Sequence, residues 1–269
     1  MVIGGGFSGV EVAGELVDCL KSIRRYYPRV AAGELKVTLL QDQPRLLLEL
    51  SERLGAAARR SLEARGVDVR THRRAIAVHA GSVMLDDNSV LQSATVICTI
   101  GTRPNPLLET LGLPIERGRV VVRGDLSIEN APGVWAIGDC AQVPNARDGL
   151  VAPPTAQFAV REAQCLARNL VAALTHRPRE QFDYRARGSM AAIGHMKGVA
   201  DIFGIPLWGL PAWLLWRAYY LSQMPTLGRK IRIFVEWTWG MFFPTDITHL
   251  RFTRSQEIVD GAAPAPRQV

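Results

Sequence analysis

The sequence predicts an α/β fold built on a doubly wound parallel sheet, and three observations carry that prediction. A short apolar strand at residues 1–3 runs into Gly4-x-Gly6-x-x-Gly9, which opens a helix. Short apolar strands then alternate with helix-length stretches as far as residue 100. Farther on, the apolar run Val134-Trp135-Ala136-Ile137 ends in Gly138-Asp139, and another long helix follows. At 48% hydrophobic and 21% charged, the 269 residues can bury a core.

The elements follow in order. Residues 1–3 read as the end of a strand. Over residues 7–26, Val10, Ala13, Val17, Leu20 and their neighbours recur at helical spacing. Leu35–Leu40 reads as a short apolar strand. Ser51–Arg65 reads as a second helix, with Ser51 as N-cap and Gly66 as its stop. Val67–Arg70, Ala75–His79, Ser82–Leu85 and Thr95–Thr99 read as strands, and Asp86-Asp87-Asn88 as a hairpin turn. Val120–Val122 and Val134–Ile137 read as further strands. A helix is expected from Pro154 to Leu174, since proline suits a helix start. Beyond Phe182 the alternation fades, and residues 202–243 are rich in Trp, Leu, Phe and Pro. Residues 255–269 read as a disordered Ala/Pro-rich tail.

The net charge of +7 points to a polyanionic partner, a nucleic acid or an anionic membrane surface. No nucleic-acid-binding motif is present, so no nucleic acid is expected. The four cysteines form no CxxC pair, and the five histidines show no ligand spacing; neither a redox disulfide nor a metal site is expected. Met1-Val2-Ile3 leads straight into Gly4, without the basic and apolar regions of a signal peptide.

The glycine fingerprint is chemically legible. Gly4 allows a tight turn, Gly6 lets backbone approach a pyrophosphate, and Gly9 lets the helix pack on the strand. The helix N-terminus adds N–H donors and the positive end of its dipole. The second strand should end in an acidic residue that reads the ribose hydroxyls. Here Gln41 holds that position and Asp42 follows. Either can serve, and Arg45 is a candidate partner for a 2′-phosphate, so the choice between NADH and NADPH stays open. Glu11 lies early in the helix, where a carboxylate can also simply face the dipole. Gly101 ends a strand where a crossover between two dinucleotide domains would fall. Gly138-Asp139 offers close backbone approach and a carboxylate for a ribityl hydroxyl.

Together the segments GGGFSGVEVAGEL, ICTIGTRPN, GVWAIGDCA and PPTAQFA resemble the two-dinucleotide-domain flavoproteins. YRARGSMAAIGHMKGVAD followed by AWLLW narrows the resemblance to the type II NADH dehydrogenases, over residues 2 to 252. The resemblance implies FAD and NAD(H) as cofactors, and NADH and a quinone as substrates. It implies a peripheral place on the cytoplasmic face of a membrane, with room for a homodimer. Gly4, Gly6 and Gly9 would hold the NADH pyrophosphate, and Glu11 would sit beside the nicotinamide. Asp139 would bind the FAD ribityl chain. Ala156 and Gln157 would lie near the flavin ring and the quinone entrance. Glu11 and Gln157 are thus the expected catalytic pair; Gly4, Gly6, Gly9, Gln41, Asp42, Gly101, Gly138, Asp139 and Ala156 are the expected cofactor contacts.

The implied layout is a Rossmann-like NAD(H)-binding domain (1–100), the C-terminal half of an FAD-binding domain (101–190), a helical membrane-facing segment (191–254) and the tail. Three departures stand out. The family's first glycine fingerprint is absent and is expected ahead of residue 1, in a segment on the order of 100 residues or more. Gln41 replaces an acidic residue, and Arg161 replaces a second glutamine. Five of the six tryptophans lie between 208 and 239, and Pro211–Gln223 fits an interfacial helix with Trp and Leu inserted and Arg217 outside. Two rival readings remain: a truncated or non-catalytic NAD(H)-binding fragment, and a soluble flavoprotein reductase of a protein or ferredoxin acceptor.

Overall fold

The computed structural model describes residues 1–243 except 32 and 102; the expected tail at 255–269 and the end of the 191–254 segment lie outside the described residues. Strand β1 (Val2–Ile3) leads into helix α1 (Phe7–Ile23), strand β2 (Val37–Leu40), helix α2 (Glu52–Glu63) and strand β3 (Val67–Arg70). An antiparallel meander of β4 (Ala75–His79), β5 (Ser82–Leu85) and β6 (Val90–Gln92) comes next, then β7 (Ile97–Cys98). The parallel sheet runs in the order β3-β2-β1-β7, with Ile3 opposite Leu40 on one side and Cys98 on the other.

Successive strand residues point to opposite faces. Val2 and Leu39 join a core with Val10, Val17 and Leu54 of the two helices. Ile3 and Leu40 join Val83 and Leu85 of the meander instead. The sheet is therefore covered on both sides, which suits an all-parallel sheet with apolar runs. Ser51 does occupy the N-cap of α2, but its side chain makes no capping bond.

A second core gathers around α3 (Ala156–Leu174) and a small sheet of β8 (Ile115–Glu116), β9 (Arg119–Val121) and β10 (Ala141–Gln142). Residues 134–137 do not form the expected strand. Among the described residues their one bridge is Ser127 to Trp135, and a strand needs a neighbour along its length. Apolar spacing there comes instead from Trp135, Ala136 and Ile137 packing on this core.

The larger correction lies beyond residue 182. Residues 191–209, expected within a helical segment, instead join 188–190 in an antiparallel sheet of β11 (Gly188–Ala192), β12 (Gly198–Ile202) and β13 (Ile205–Gly209). The boundary expected at 190/191 falls inside β11. Ala191, Ile193 and Val199 belong to the core of the parallel domain, so this sheet is packed onto α1 and α2. Helices α4 (Leu210–Gln223) and α5 (Leu227–Phe242) follow. Helix α4 is partly covered: Ala212 and Trp213 are buried, while Leu210, Leu214 and Tyr220 are exposed. Arg217, expected outside, folds over the rings of Trp213 (4.0 Å) and Trp237 (5.0 Å) and donates to the Trp237 carbonyl. Burial lowers its pKa. Among the described residues, no helix is long and apolar enough to cross a membrane.

Candidate functional site

The loop between β1 and α1 is shaped by its glycines. Gly4 has φ +111°, and a Cβ there would fall 2.8 Å from Thr99 Oγ1. A Cβ on Gly9 would fall 1.7 Å from the Gly4 carbonyl oxygen, so the first helical turn lies directly on the loop. A Cβ on Gly6 would meet nothing within 4 Å. The packing explains Gly4 and Gly9 from inside; Gly6 faces open space. Gly6 is the N-cap of α1 and offers no side-chain cap, so the first N–H groups of the helix are presented to whatever lies there. Thr99 closes the loop from β7: its hydroxyl donates to the Ile3 carbonyl at 2.8 Å, as does its N–H.

At the end of β2, Gln41 is 8% exposed. Its Oε1 accepts from the Gly5 N–H at 3.0 Å, and its Nε2 donates to the Arg45 carbonyl at 3.3 Å. Both ends of the amide are thus occupied in fixing the glycine loop. Arg45 is likewise committed, donating to the carbonyls of Leu47, Leu48 and Leu50 at 2.9–3.0 Å. Asp42 is turned to solvent, with its carboxylate 3.4 Å from Arg74 Nη2.

Glu11 sits beyond the first turn of α1 and accepts from the Ala192 N–H at 3.1 Å. Two turns on, Asp18 accepts from the His195 N–H at 2.8 Å and pairs with Arg65 at 2.8 Å. Burial, with Glu15 nearby, raises the Glu11 pKa against the Ala192 bond that lowers it.

In the second part, residues 138–140 form a 3₁₀ turn. Gly138 has φ +69°, and its N–H donates to Glu162 Oε2 at 2.6 Å. Asp139 and Ala156 are exposed and Gln157 is half-buried. Thr155 caps α3 without a side-chain bond, leaving that helix N-terminus open as well. Gly101, at φ +86°, is exposed beside Ile100. Arg161 lies over the Tyr184 ring at 5.7 Å and donates to Gln164. Burial raises the Glu162 pKa, with Asp139 adding to it.

The structure thus brings Gly4, Gly6, Gly9, Gln41, Asp42 and Gly101 to one end of the parallel sheet. It groups Gly138 and Asp139 with the start of α3. Sequence reasoning missed Thr99 and Glu162 as the groups that fix these turns, and Arg65 as the group that ties α1 to Ile193. Glu162, one helical turn past Phe158, had a signal in being the lone carboxylate of α3, in register with Phe158 and Cys165 on one face.

The open face at Gly6, with uncapped N–H groups and a helix dipole behind it, fits a dinucleotide pyrophosphate. It provides one such cradle. The turn at 138–140 and the open start of α3 fit the ribityl and ring end of a flavin.

Residues 1–163 match the family model described as pyridine nucleotide-disulphide oxidoreductase, and residues 187–246 match the NDH2 C-terminal domain. A probable NADH dehydrogenase of Dictyostelium discoideum is 29% identical over 252 residues, covering 92% of this chain and 55% of that protein. A type II NADH:quinone oxidoreductase of Staphylococcus aureus is 31% identical over 215 residues, covering 79% of this chain and 53% of that protein. The chain spans about half the length of these curated relatives. The structure of NDH2 from Plasmodium falciparum in complex with NADH superposes with a TM-score of 0.81 at 17% identity, over 90% of this chain and 65% of that one. That likeness is one of fold.

Proposed function

We infer that this chain, which belongs to the pyridine nucleotide-disulphide oxidoreductase family, is the NADH-binding and membrane-facing part of a flavin-dependent NADH:quinone oxidoreductase. The observation that carries the reading is the glycine cradle, closed by packing at Gly4 and Gly9 and open at Gly6. The match of residues 187–246 to the NDH2 C-terminal domain supports the quinone end. FAD, when bound, supplies a hydride acceptor for NADH and an electron donor for quinone.

The chain's own residues bind and orient. Gly4, Gly6 and Gly9 let the N-terminus of α1 take the NADH pyrophosphate. Glu11, anchored to Ala192, is our candidate beside the nicotinamide. Asp139, presented by the Gly138 turn, is the candidate for the ribityl hydroxyls. Gln157 and Ala156, at the open start of α3, are the candidates for the flavin ring and quinone entrance.

We place the membrane contact on α5 rather than α4. Leu227, Ile231, Phe234, Val235, Trp239 and Phe242 are all exposed along it, at 55–74%. They recur at helical spacing, and Arg229, Lys230 and Arg232 beside them suit anionic headgroups. We propose a peripheral place on the cytoplasmic face of a membrane.

The test is a flavin spectrum and NADH titration of the purified chain, with an NADH-to-quinone assay on the same sample. Bound flavin with turnover supports the full reading. NADH binding without flavin or turnover supports a second reading, a nucleotide-binding part of a longer enzyme, which the single glycine cradle favours. Absence of NADH binding by the folded chain overturns both.

A further inference from the structure

We propose that the nucleotide site takes both NADH and NADPH, with the Asp42–Arg74 ion pair as the reader of the adenosine 2′ position; this rests on the nucleotide-binding reading above. In this fold the 2′ group is read at the end of the second strand of the parallel sheet, next to the glycine loop. That adjacency is present here, because the Gly5 N–H is bound by Gln41 at the end of β2.

Two groups that the sequence offers for this task are already spent. Gln41 is buried, its oxygen taken by Gly5 and its nitrogen by the Arg45 carbonyl. Turning it outward would strip an N–H of the glycine loop of its acceptor, and a buried unpaired N–H is costly. Arg45 spends its guanidinium on the carbonyls of Leu47, Leu48 and Leu50.

Beside this strand end an acid and a base face solvent as a pair. Asp42 and Arg74 lie 3.4 Å apart, with side chains 38% and 67% exposed. Arg74 follows Arg73, whose N–H donates to the Gln41 carbonyl, so the backbone next to Arg74 is tied to the end of β2. Arg73 itself is turned to Asp87 at 3.4 Å. An exposed pair of this kind is weakly held and is easily opened by a ligand. A ribose 2′-hydroxyl is a donor that Asp42 can accept. A 2′-phosphate repels Asp42 but is a partner for the guanidinium of Arg74, which has donors left over and binds phosphate well. Neither dinucleotide is excluded, and each finds one charge-assisted hydrogen bond.

The experiment is a fluorescence titration of the full chain with NADH and with NADPH, for the wild type and for Asp42→Asn and Arg74→Gln. The wild type should bind both, with dissociation constants within about tenfold of each other, the scale of one solvent-screened charged hydrogen bond. Arg74→Gln should shift the NADPH-to-NADH ratio of dissociation constants up by about tenfold, and Asp42→Asn should shift it down by about tenfold. If the wild type binds NADH but not NADPH, or if neither substitution moves the ratio, the selector is wrong while the nucleotide site stands. If the folded wild type binds neither dinucleotide, the nucleotide reading falls and the selector with it.

Discussion

Glu162 is 2% exposed, and its carboxylate holds the Gly138 N–H that shapes the turn before Asp139. Burial comes first among the causes raising its pKa. The folded state therefore favours the protonated acid more than the unfolded chain does. Stability from this group is complete below the unfolded carboxylate range and is lost as pH rises through the raised folded value. Glu162→Gln keeps an acceptor for Gly138 without the charge. Its stability relative to wild type, read by chemical denaturation, should rise as pH climbs above the ordinary carboxylate range. Glu162→Ala removes the acceptor and should cost about 1–3 kcal/mol at low pH, less as pH rises. The glycines of the cradle give a second residue-scale prediction. Gly9→Ala drives a Cβ into the Gly4 carbonyl and should lower the melting temperature as well as abolish NADH binding. Gly6→Ala places its Cβ in open space, so the fold should melt as before while NADH affinity drops. Equal melting losses in the two variants would contradict the view that Gly6 is reserved for a ligand.

Among the elements, those with a clear period were legible. The 3.6-residue recurrence of Val10, Ala13 and Val17 is the buried face of α1, and the Val67/Val69 alternation is the buried face of β3. The glycine cradle was legible because its spacing is fixed by covalent geometry and packing. The fate of Gln41 and Arg45 was not, since it depends on carbonyls that only the folded loop brings within reach. The sheet at 188–209 was missed because its strands are short and broken by Gly188, Gly194, Gly198 and Gly204, which read as loop. Its pattern is set by packing on α1 and α2, where a Cβ on Gly14 would fall 2.2 Å from the Ile193 carbonyl oxygen. The partial burial of α4 was not legible for a like reason: α4 and α5 both carry Trp and other large apolar residues, and only contact decides which of these are covered. The difference is testable. Ile231→Asp with Phe234→Asp on α5 should abolish sedimentation with anionic vesicles and leave the melting temperature within a few degrees. Trp213→Ala on α4 should cost about 3–5 kcal/mol, as for other buried aromatics.

Across the whole molecule, the parallel domain and the C-terminal sheet share one set of fastenings. Arg65 is almost fully buried. It pairs with Asp18, donates to the carbonyls of Gly14 and Ser61, and reaches the Ile193 carbonyl. Asp18 in turn holds the His195 N–H, and Glu11 the Ala192 N–H. Arg65→Ala takes the buried guanidinium from Asp18 and its bonds from three carbonyls, and should destabilise the chain by about 3–5 kcal/mol. Hydrogen exchange should then accelerate in β11 and β12 before it does in β1 and β2; uniform acceleration would argue against a local seam. Because Ala191, Ile193 and Val199 fill the same core as Val10 and Leu54, neither side of the seam is a module in the sense of a piece that recombination can trade. A splice at residue 187 that brought in a foreign C-terminal sheet would have to bring α1 and α2 with it. What folds as a unit here is the glycine cradle together with the sheet that leads into α4 and α5, since both rest on the same faces of α1 and α2.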